Sequence, residues 1–172
     1  IGLDLEAIQA ELGQEPWVYR AVVERLWPRE LKITIVEETP IAVWGRGGLL
    51  NHRGRIFVPQ DGSDYGADLP RLDGPKGSAI EIMRQYRLMS QLLGDEQLTL
   101  QHLEMDARGS WTARIDENVE LVLGRQEPLE KLRRFLWVYR KYLAADFATV
   151  ARVDMRYING LAVARTQHSD KG

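Results

Sequence analysis

Apolar residues recur at two spacings along this chain, and each spacing predicts one kind of element. Three segments repeat apolar side chains at helical spacing, with Asp4, Ser78 and Pro128 at or just before their starts. They predict helices over residues 5–12, 78–93 and 128–143. Alternating or short apolar runs bounded by turn residues predict strands over 21–27, 31–37, 41–44, 98–106, 110–115, 119–123, 150–157 and 161–165.

The connecting segments complete this outline. Residues 16–19 are expected to open a short helical turn, and residues 59–77 a long loop rich in Pro, Gly and Asp. Asn159-Gly160 predicts a hairpin between the last two strands. The order of elements predicts an α+β fold, in which a small αβ unit up to about residue 39 precedes a larger, mostly antiparallel β-sheet domain with two helices.

Composition narrows the class of protein. The chain has 172 residues, of which 44% are hydrophobic and 28% charged, so it can bury the core of one domain or of two small ones. A net charge of −2 argues against a dedicated nucleic-acid binder. The absence of cysteine excludes a disulfide scaffold and a thiol nucleophile. Because the chain opens at Ile1 within an apparent element, we expect it to be a soluble fragment of a longer protein.

Candidate chemistry is sparse. His52, His102 and His168 are far apart and lack partners at metal-ligand spacing, and no nucleophile motif is present. The basic and aromatic residues interleaved over 128–143 fit an amphipathic helix better than a nucleic-acid surface. The residues therefore predict no enzyme, no metal site and no cofactor, and leave an interaction module.

The last predicted strand is the place to look for an interaction. Leu161 and Val163 lie on one face of it, and Ala162 and Ala164 on the other, with no Lys or Pro to protect an edge. If the strand lies at a sheet edge, it could receive a partner strand by β-augmentation. The alternative is that another strand or the polar tail covers it.

Several short motifs, in order and spacing, make the chain similar to the FtsQ family of bacterial cell division proteins. These motifs are Trp27-Pro28-Arg29-Glu30-Leu31-Lys32-Ile33, Val36-Glu37-Glu38-Thr39-Pro40-Ile41-Ala42-Val43-Trp44, Leu72-Asp73-Gly74-Pro75-Lys76-Gly77-Ser78, Ala107-Arg108-Gly109-Ser110-Trp111, Leu123-Gly124-Arg125 and Val153-Asp154-Met155-Arg156-Tyr157-Ile158-Asn159-Gly160.

The resemblance implies a divisome assembly scaffold of Gram-negative bacteria rather than an enzyme. It implies an inner-membrane protein at the division septum, with one N-terminal membrane helix that is absent here and a periplasmic part. That part divides into a partial POTRA domain at 1–38 without its first strand, an FtsQ-type β domain at 39–168, and a disordered tail at 169–172.

The resemblance also implies partners and contact residues. FtsB and FtsL are the main partners, with FtsK, FtsW, FtsI and FtsN as further ones, and FtsB is expected to add a strand to the last strand of the β domain. The implied FtsB contacts are Arg108, on a neighbouring strand, and Arg156, Tyr157, Asn159, Gly160, Leu161, Ala162, Val163, Ala164 and Arg165. Arg20, Val23 and Arg25 correspond to a recruitment surface on a strand of the POTRA domain.

At two positions this chain differs from other members of the family that it resembles. Arg165 stands where some members have a tryptophan, and Asn159 where relatives have serine, so details of docking are expected to differ. POTRA units also occur in outer-membrane assembly and transport components, and such a component is the alternative function. The motifs around Arg108 and Arg156 favour the division family.

Overall fold

The computed structural model describes residues 4–59, 66, 68–116 and 119–166. Its α-helices are α1 (Leu5–Leu12), α2 (Ala79–Gly94) and α3 (Pro128–Val138). A π-helical turn (Tyr139–Leu143) and a 3₁₀ helix (Ala144–Thr149) follow α3. The strands are β1 (Val18–Leu26), β2 (Glu30–Glu37), β3 (Pro40–Trp44), β4 (Gly48–Asn51), β5 (Ile56–Phe57), β6 (Arg71–Asp73), β7 (Leu100–Met105), β8 (Trp111–Ile115), β9 (Val119–Gly124), β10 (Val150–Asp154) and β11 (Ala162–Arg165).

The first part of the fold is α1 packed on an antiparallel pair of strands, β1 and β2. Asp4 caps α1, because its Oδ1 accepts hydrogen bonds from the backbone N–H groups of Glu6 and Ala7, each at 3.1 Å. The expected helical turn over 16–19 is wrong in its second half. Val18 already begins β1, and the Trp17 carbonyl accepts the Glu38 N–H at 2.8 Å, which prolongs the pairing with the segment after β2.

A nine-stranded sheet forms the larger part, in the order β11-β10-β9-β8-β7-β6-β3-β4-β5. Most neighbouring pairs are antiparallel, but β10 with β9, β7 with β6 and β6 with β3 are parallel. Two of the parallel pairs follow from crossovers, since α2 joins β6 to β7 and α3 joins β9 to β10. The predicted α+β fold with a mostly antiparallel sheet is confirmed.

The core lies between one face of this sheet and the helices. Phe135 of α3 is fully buried, with ring centroids 6.0 Å from Tyr139 and 6.2 Å from Phe147. Ile82 of α2 and Leu103 of β7 are also fully buried in the same cluster. The helical periodicity read from the sequence is therefore the periodicity of the face that packs on the sheet.

Two predicted boundaries change in the structure. The expected loop over 59–77 contains β6, whose Leu72 is fully buried between β3 and β7. The expected helix over 128–143 keeps α-helical geometry as far as Val138 and then continues as the π-helical turn. A run of three residues is too short for periodicity to reveal, and the change of helix type leaves the apolar face almost unaltered.

Side chains join the two sheets around a buried carboxylate. Glu38 is 5% exposed, its Oε2 accepts a hydrogen bond from Asn51 Nδ2 at 2.9 Å, and Arg55 Nη1 lies 2.9 Å from Oε1 as an ion pair. The Trp17 and Phe57 rings pack edge to face with centroids 5.3 Å apart. Because a buried carboxylate needs its partners, Glu38 ties the end of β2 to β4 and the turn that follows it.

Candidate protein-docking site

The last strand, β11, lies at one edge of the nine-stranded sheet. It pairs with β10 on its inner side, with Val163 opposite Val153 and Ala162 opposite Asp154. Among the described residues, no strand pairs with its outer side. Backbone N–H and C=O groups on that side are those that a further strand could use. β11 is thus an edge strand of the described sheet, while the polar tail of the other alternative, including the expected disordered segment 169–172, lies outside the described residues.

The two faces of β11 differ as the sequence predicts. Val163 is half-buried and packs against the core cluster, as does Leu161 just before the strand, whereas Ala162 and Ala164 are exposed. The register irregularity of this pair lies on β10, between Val150 and Arg152. Since the bulge is on the inner strand, it does not shield the edge.

Arg165 holds the C-terminal end of β11 in place. Its guanidinium donates to Asp146 Oδ2 at 2.6 Å and to the hydroxyl of Thr149. These contacts keep Arg165 against the 3₁₀ helix, although the residue is exposed. A tryptophan at this position would present apolar area, whereas Arg165 presents an ion pair.

The connection between β10 and β11 is longer than the sequence predicts, and the two strands are shorter. β10 ends at Asp154 rather than at residue 157, so Arg156, Tyr157, Asn159 and Gly160 belong to the connection. Met155 is the last residue fastened to the sheet, because it is fully buried and its N–H donates to Val122 O at 2.8 Å. We call residues 156–161 the docking loop.

The docking loop is open to solvent. Tyr157 is 57% exposed and Ile158 is 87% exposed. The expected tight Asn-Gly turn is not formed: Gly160 lies outside the left-handed region, and a Cβ built on it would have no neighbour within 4 Å. Burial of Met155 fixes where β10 stops, and this tertiary constraint overrides the local turn preference.

Arg156 folds back onto Asp154. Its Nε lies 2.9 Å from Asp154 Oδ1 and its Nη2 2.6 Å from Oδ2, which is a bidentate pair. The side-chain hydrogen bond from Arg156 lowers the pKa of Asp154 below its usual value. The Nη1 group of Arg156 has no hydrogen-bond partner in the part of the chain that the structure describes.

An open cleft of about 670 Å³ lies at this end of the sheet. Four cationic side chains line it, namely Arg108, Arg125, Lys131 and Arg156. Gly124 lines it too: its φ is +74°, and a Cβ there would lie 3.1 Å from Arg156 Cγ. The arrangement favours an anionic group in a partner, because four cationic side chains line one concave surface.

Arg108 reaches this cleft from a turn, whereas the resemblance implies a position on a strand. The turn joins β7 to β8, and Asp106 Oδ1 accepts hydrogen bonds from the N–H groups of Arg108 and Ser110, both at 2.8 Å. The Ser110 bond is the largest cause of a lowered pKa of Asp106. The carboxylate therefore stays charged and holds the turn that presents Arg108.

The three residues of the expected POTRA surface do not share one face. Val23 is 8% exposed, and its N–H donates to Gln9 Oε1 of α1 at 3.2 Å. Arg25 lies on the same face of β1 as Val23, and Arg20 on the other, and both arginines are exposed. Because α1 packs on β1, Val23 is buried, and its part in a recruitment surface stays a prediction.

Sequence reasoning missed three cations at the site. Arg125 lines the cleft, Lys131 Nζ donates to Leu123 O at 2.8 Å, and Arg134 donates to the docking loop. The sequence pattern shows the basic residues of 128–143 only as part of an amphipathic helix and does not separate them by what they contact. Lys131 and Arg134 are three residues apart, so they lie on one side of the helix, but only the packing of α3 shows that this side faces the docking loop.

Two family models match the two parts of this fold. Residues 42–156 match the family model for the C-terminal part of cell division protein FtsQ/DivIB, and residues 1–38 match the FtsQ-type POTRA domain. The chain belongs to the FtsQ/DivIB family of cell division proteins.

Individual relatives have the same name, "Cell division protein FtsQ". The protein from Cellvibrio japonicus is 39% identical over 98% of this chain and 52% of its own length. Those from Escherichia coli K12 and a Thioalkalivibrio strain are 36% and 33% identical over 93% and 99% of this chain, and over 59% and 70% of their own lengths. The chain thus spans little more than half the length of the first two relatives.

One property of the described helices bears on membrane association. None of them combines the length and the hydropathy that a transmembrane helix needs.

Proposed function

We propose that this chain is the partner-docking part of a divisome scaffold and that it binds FtsB by strand addition to β11. The observation that carries the proposal is the coincidence of an open sheet edge with a cationic cleft at one end of the same sheet. Family membership supports the division role, and the geometry supports the proposed place and kind of contact.

The edge strand supports docking of an extended peptide. Backbone hydrogen bonds along β11 would provide affinity without demanding particular side chains from the partner. The half-buried Val163 and the exposed Ala162 and Ala164 give an added strand one apolar and one unobstructed neighbour face. A partner segment that alternates apolar and polar residues fits this edge.

The cleft supports recognition of acidic residues. Arg108 and Arg156 face it from two different connections, and Arg156 keeps its Nη1 group for a further carboxylate while Asp154 fixes its orientation. Charge-assisted bonds of this kind add specificity to strand pairing. Tyr157, exposed beside Arg156, is an aromatic anchor of the kind that interface hot spots favour.

The proposal extends to the whole protein. We place the chain in the periplasm as part of a protein anchored in the inner membrane by one helix and gathered at the septum, with FtsL bound together with FtsB. On β1, where Arg20 and Arg25 are exposed, we place the recruitment surface for FtsK, FtsW, FtsI or FtsN.

Calorimetric titration with a synthetic peptide from the membrane-distal periplasmic end of FtsB tests the docking site. Tyr157→Ala and Arg108→Glu are expected to weaken binding by at least about tenfold while the unfolding temperature stays unchanged. Tyr142→Ala and Arg46→Glu are matched controls, because Tyr142 is 59% exposed and Arg46 lies in an exposed turn between β3 and β4. Unchanged affinity in both test variants would exclude the site.

Strand addition is tested separately with N-methylated peptides. In an added strand, alternate N–H groups point toward β11, so methylation is expected to abolish binding at every second position and to be tolerated at the positions between. Equal tolerance at all positions would show that the peptide binds in another conformation.

A further inference from the structure

The docking loop depends on a side chain from α3. Arg134 Nη1 lies 3.2 Å from the carbonyl oxygen of Tyr157 and 3.4 Å from that of Gly160. One guanidinium therefore contacts the loop on both sides of Ile158 and Asn159. These two contacts bridge Tyr157 and Gly160 within the loop.

The loop holds itself weakly. In a hydrogen-bonded β-turn the carbonyl of the first residue accepts the N–H of the fourth, but no such bond joins Tyr157 and Gly160 among the described residues. The Tyr157 carbonyl is taken by Arg134 instead. The Arg156 backbone N–H donates to Asp154 Oδ1 at 3.1 Å, which fastens the start of the loop but not its middle.

Arg134 is well placed to act as a fixed support. Its neighbour Phe135 is fully buried, and Leu132 and Leu136 are 1% and 2% exposed, so α3 is firmly packed at this turn. One turn earlier, Lys131 donates to Leu123 O and holds the end of β9 in the same way. The side of α3 that faces the hairpin thus contacts both the end of β9 and the docking loop.

We propose that Arg134 is a positioning residue for partner docking: it holds the docking loop in the conformation that presents Tyr157 beside β11. The inference rests on the proposed docking function, since a loop needs this support only if its shape is recognised. Preorganisation of a loop raises affinity because less conformational freedom is lost on binding.

Arg134→Gln, Arg134→Lys and Arg133→Gln, made in this 172-residue chain, test the proposal. Arg133 is the matched control, because it is exposed and pairs with Glu130 on its own helix. Two quantities are measured: amide-nitrogen order parameters at residues 157–161 without peptide, from NMR relaxation, and affinity for the FtsB peptide. Arg134→Gln is expected to lower these order parameters and to weaken binding about tenfold, and Arg134→Lys to restore part of both.

The outcomes separate this inference from the proposed function. Unchanged order parameters of the loop in Arg134→Gln overturn the positioning role, and so do lowered order parameters with unchanged affinity. If Arg134→Gln loses its cooperative unfolding transition, Arg134→Lys becomes the deciding variant, and it is expected to show lower order parameters and weaker binding than the unsubstituted chain. If the unsubstituted chain fails to bind, the proposed function is overturned, and the order parameters of the free proteins still decide whether Arg134 holds the loop.

Discussion

The β1–β2 pair and the nine-stranded sheet cover their apolar residues to very different degrees. All residues of β2 are exposed, with Ile33 at 48% and Ile35 at 46%. In the large sheet, by contrast, Leu103 and Leu121 are fully buried beneath α2 and α3. Both regions have strongly apolar strands. Alternation therefore predicts a strand in each, whereas the layer packed on the strand decides how much burial stabilises it.

The same contrast separates two kinds of free edge. β2 offers an edge with charged residues such as Glu30 and Lys32, and Lys32 pairs with Glu24 of β1 at 3.6 Å. β11 offers two exposed alanines, and its one charged residue, Arg165, is paired with Asp146 at the end of the strand. Charge along an edge discourages unspecific pairing, so the edge with less of it is the one suited to a selected partner.

Core substitutions should show the largest difference between the two regions. Phe135→Ala removes a fully buried ring and is expected to lower the free energy of unfolding by about 3–5 kcal/mol. Ile33→Ala, at a residue 48% exposed, is expected to cost about 1 kcal/mol or less. Denaturant unfolding of both variants measures the gap. Equal losses would mean that the apolar face of β2 is buried in solution.

The contact between the two regions should show the next largest effect. Glu38→Ala leaves the buried Asn51 amide and Arg55 without their carboxylate, at an expected cost of about 1–3 kcal/mol. Glu37→Ala is the control. Glu37 is the exposed neighbour of Glu38, and its substitution is expected to change the free energy of unfolding by less than about 0.5 kcal/mol. Thermal unfolding measures both, and similar values would show that Glu38 does not tie the sheets together.

Within the large sheet, Gly124→Ala should strain the backbone at residue 124 and also displace the Arg156 side chain. A positive φ costs a non-glycine residue about 1–2 kcal/mol, and Gly77→Ala, at φ +87° with open space around it, should show that cost alone. Gly124→Ala adds a methyl group 3.1 Å from Arg156 Cγ, so it should also weaken FtsB-peptide binding. Calorimetry distinguishes the two variants, and equal affinity would show that Arg156 accommodates the methyl group.

The Asp154–Arg156 pair should give the smallest effect. The folded pKa of Asp154 is lowered, so its contribution to stability is complete above the unfolded pKa of about 3.9 and is lost as pH falls through the folded value. Since Arg156 is exposed, Asp154→Asn is expected to cost at most about 1 kcal/mol at pH 7, less at high salt, and nothing once the carboxyl is protonated. Unfolding curves across pH measure this difference, and a pH-independent one would contradict the assignment.

Much of this fold could be predicted because its elements have local causes. Asp4 caps α1 as its position before an apolar periodicity predicts, and the strands around the turns at Arg108 and Asp116 fall within a residue or two of the predicted bounds. β6 and the end of β10 could not be predicted, because Leu72 and Met155 are fixed by neighbours distant in sequence.

The site divides in the same way. Arg156 and Tyr157 could be singled out from motifs along the chain, but nothing local shows that Arg108, Arg125 and Lys131 converge on one cleft. Glu38 and Glu37 are adjacent carboxylates in the sequence, yet only Glu38 is buried between partners. Convergence and burial depend on which strands become neighbours, and a linear pattern does not encode that order.

By itself the sequence determined the types of the main elements, the amphipathic faces of α2 and α3, and the apolar and alanine faces of the last strand. Each follows from side-chain periodicity and backbone preference within a few residues. The tertiary structure decided that β11 lies at the edge, that the docking loop begins after Met155, and that Arg134 reaches it. These depend on strand order and helix packing, in which residues far apart in the chain compete for the same buried surface.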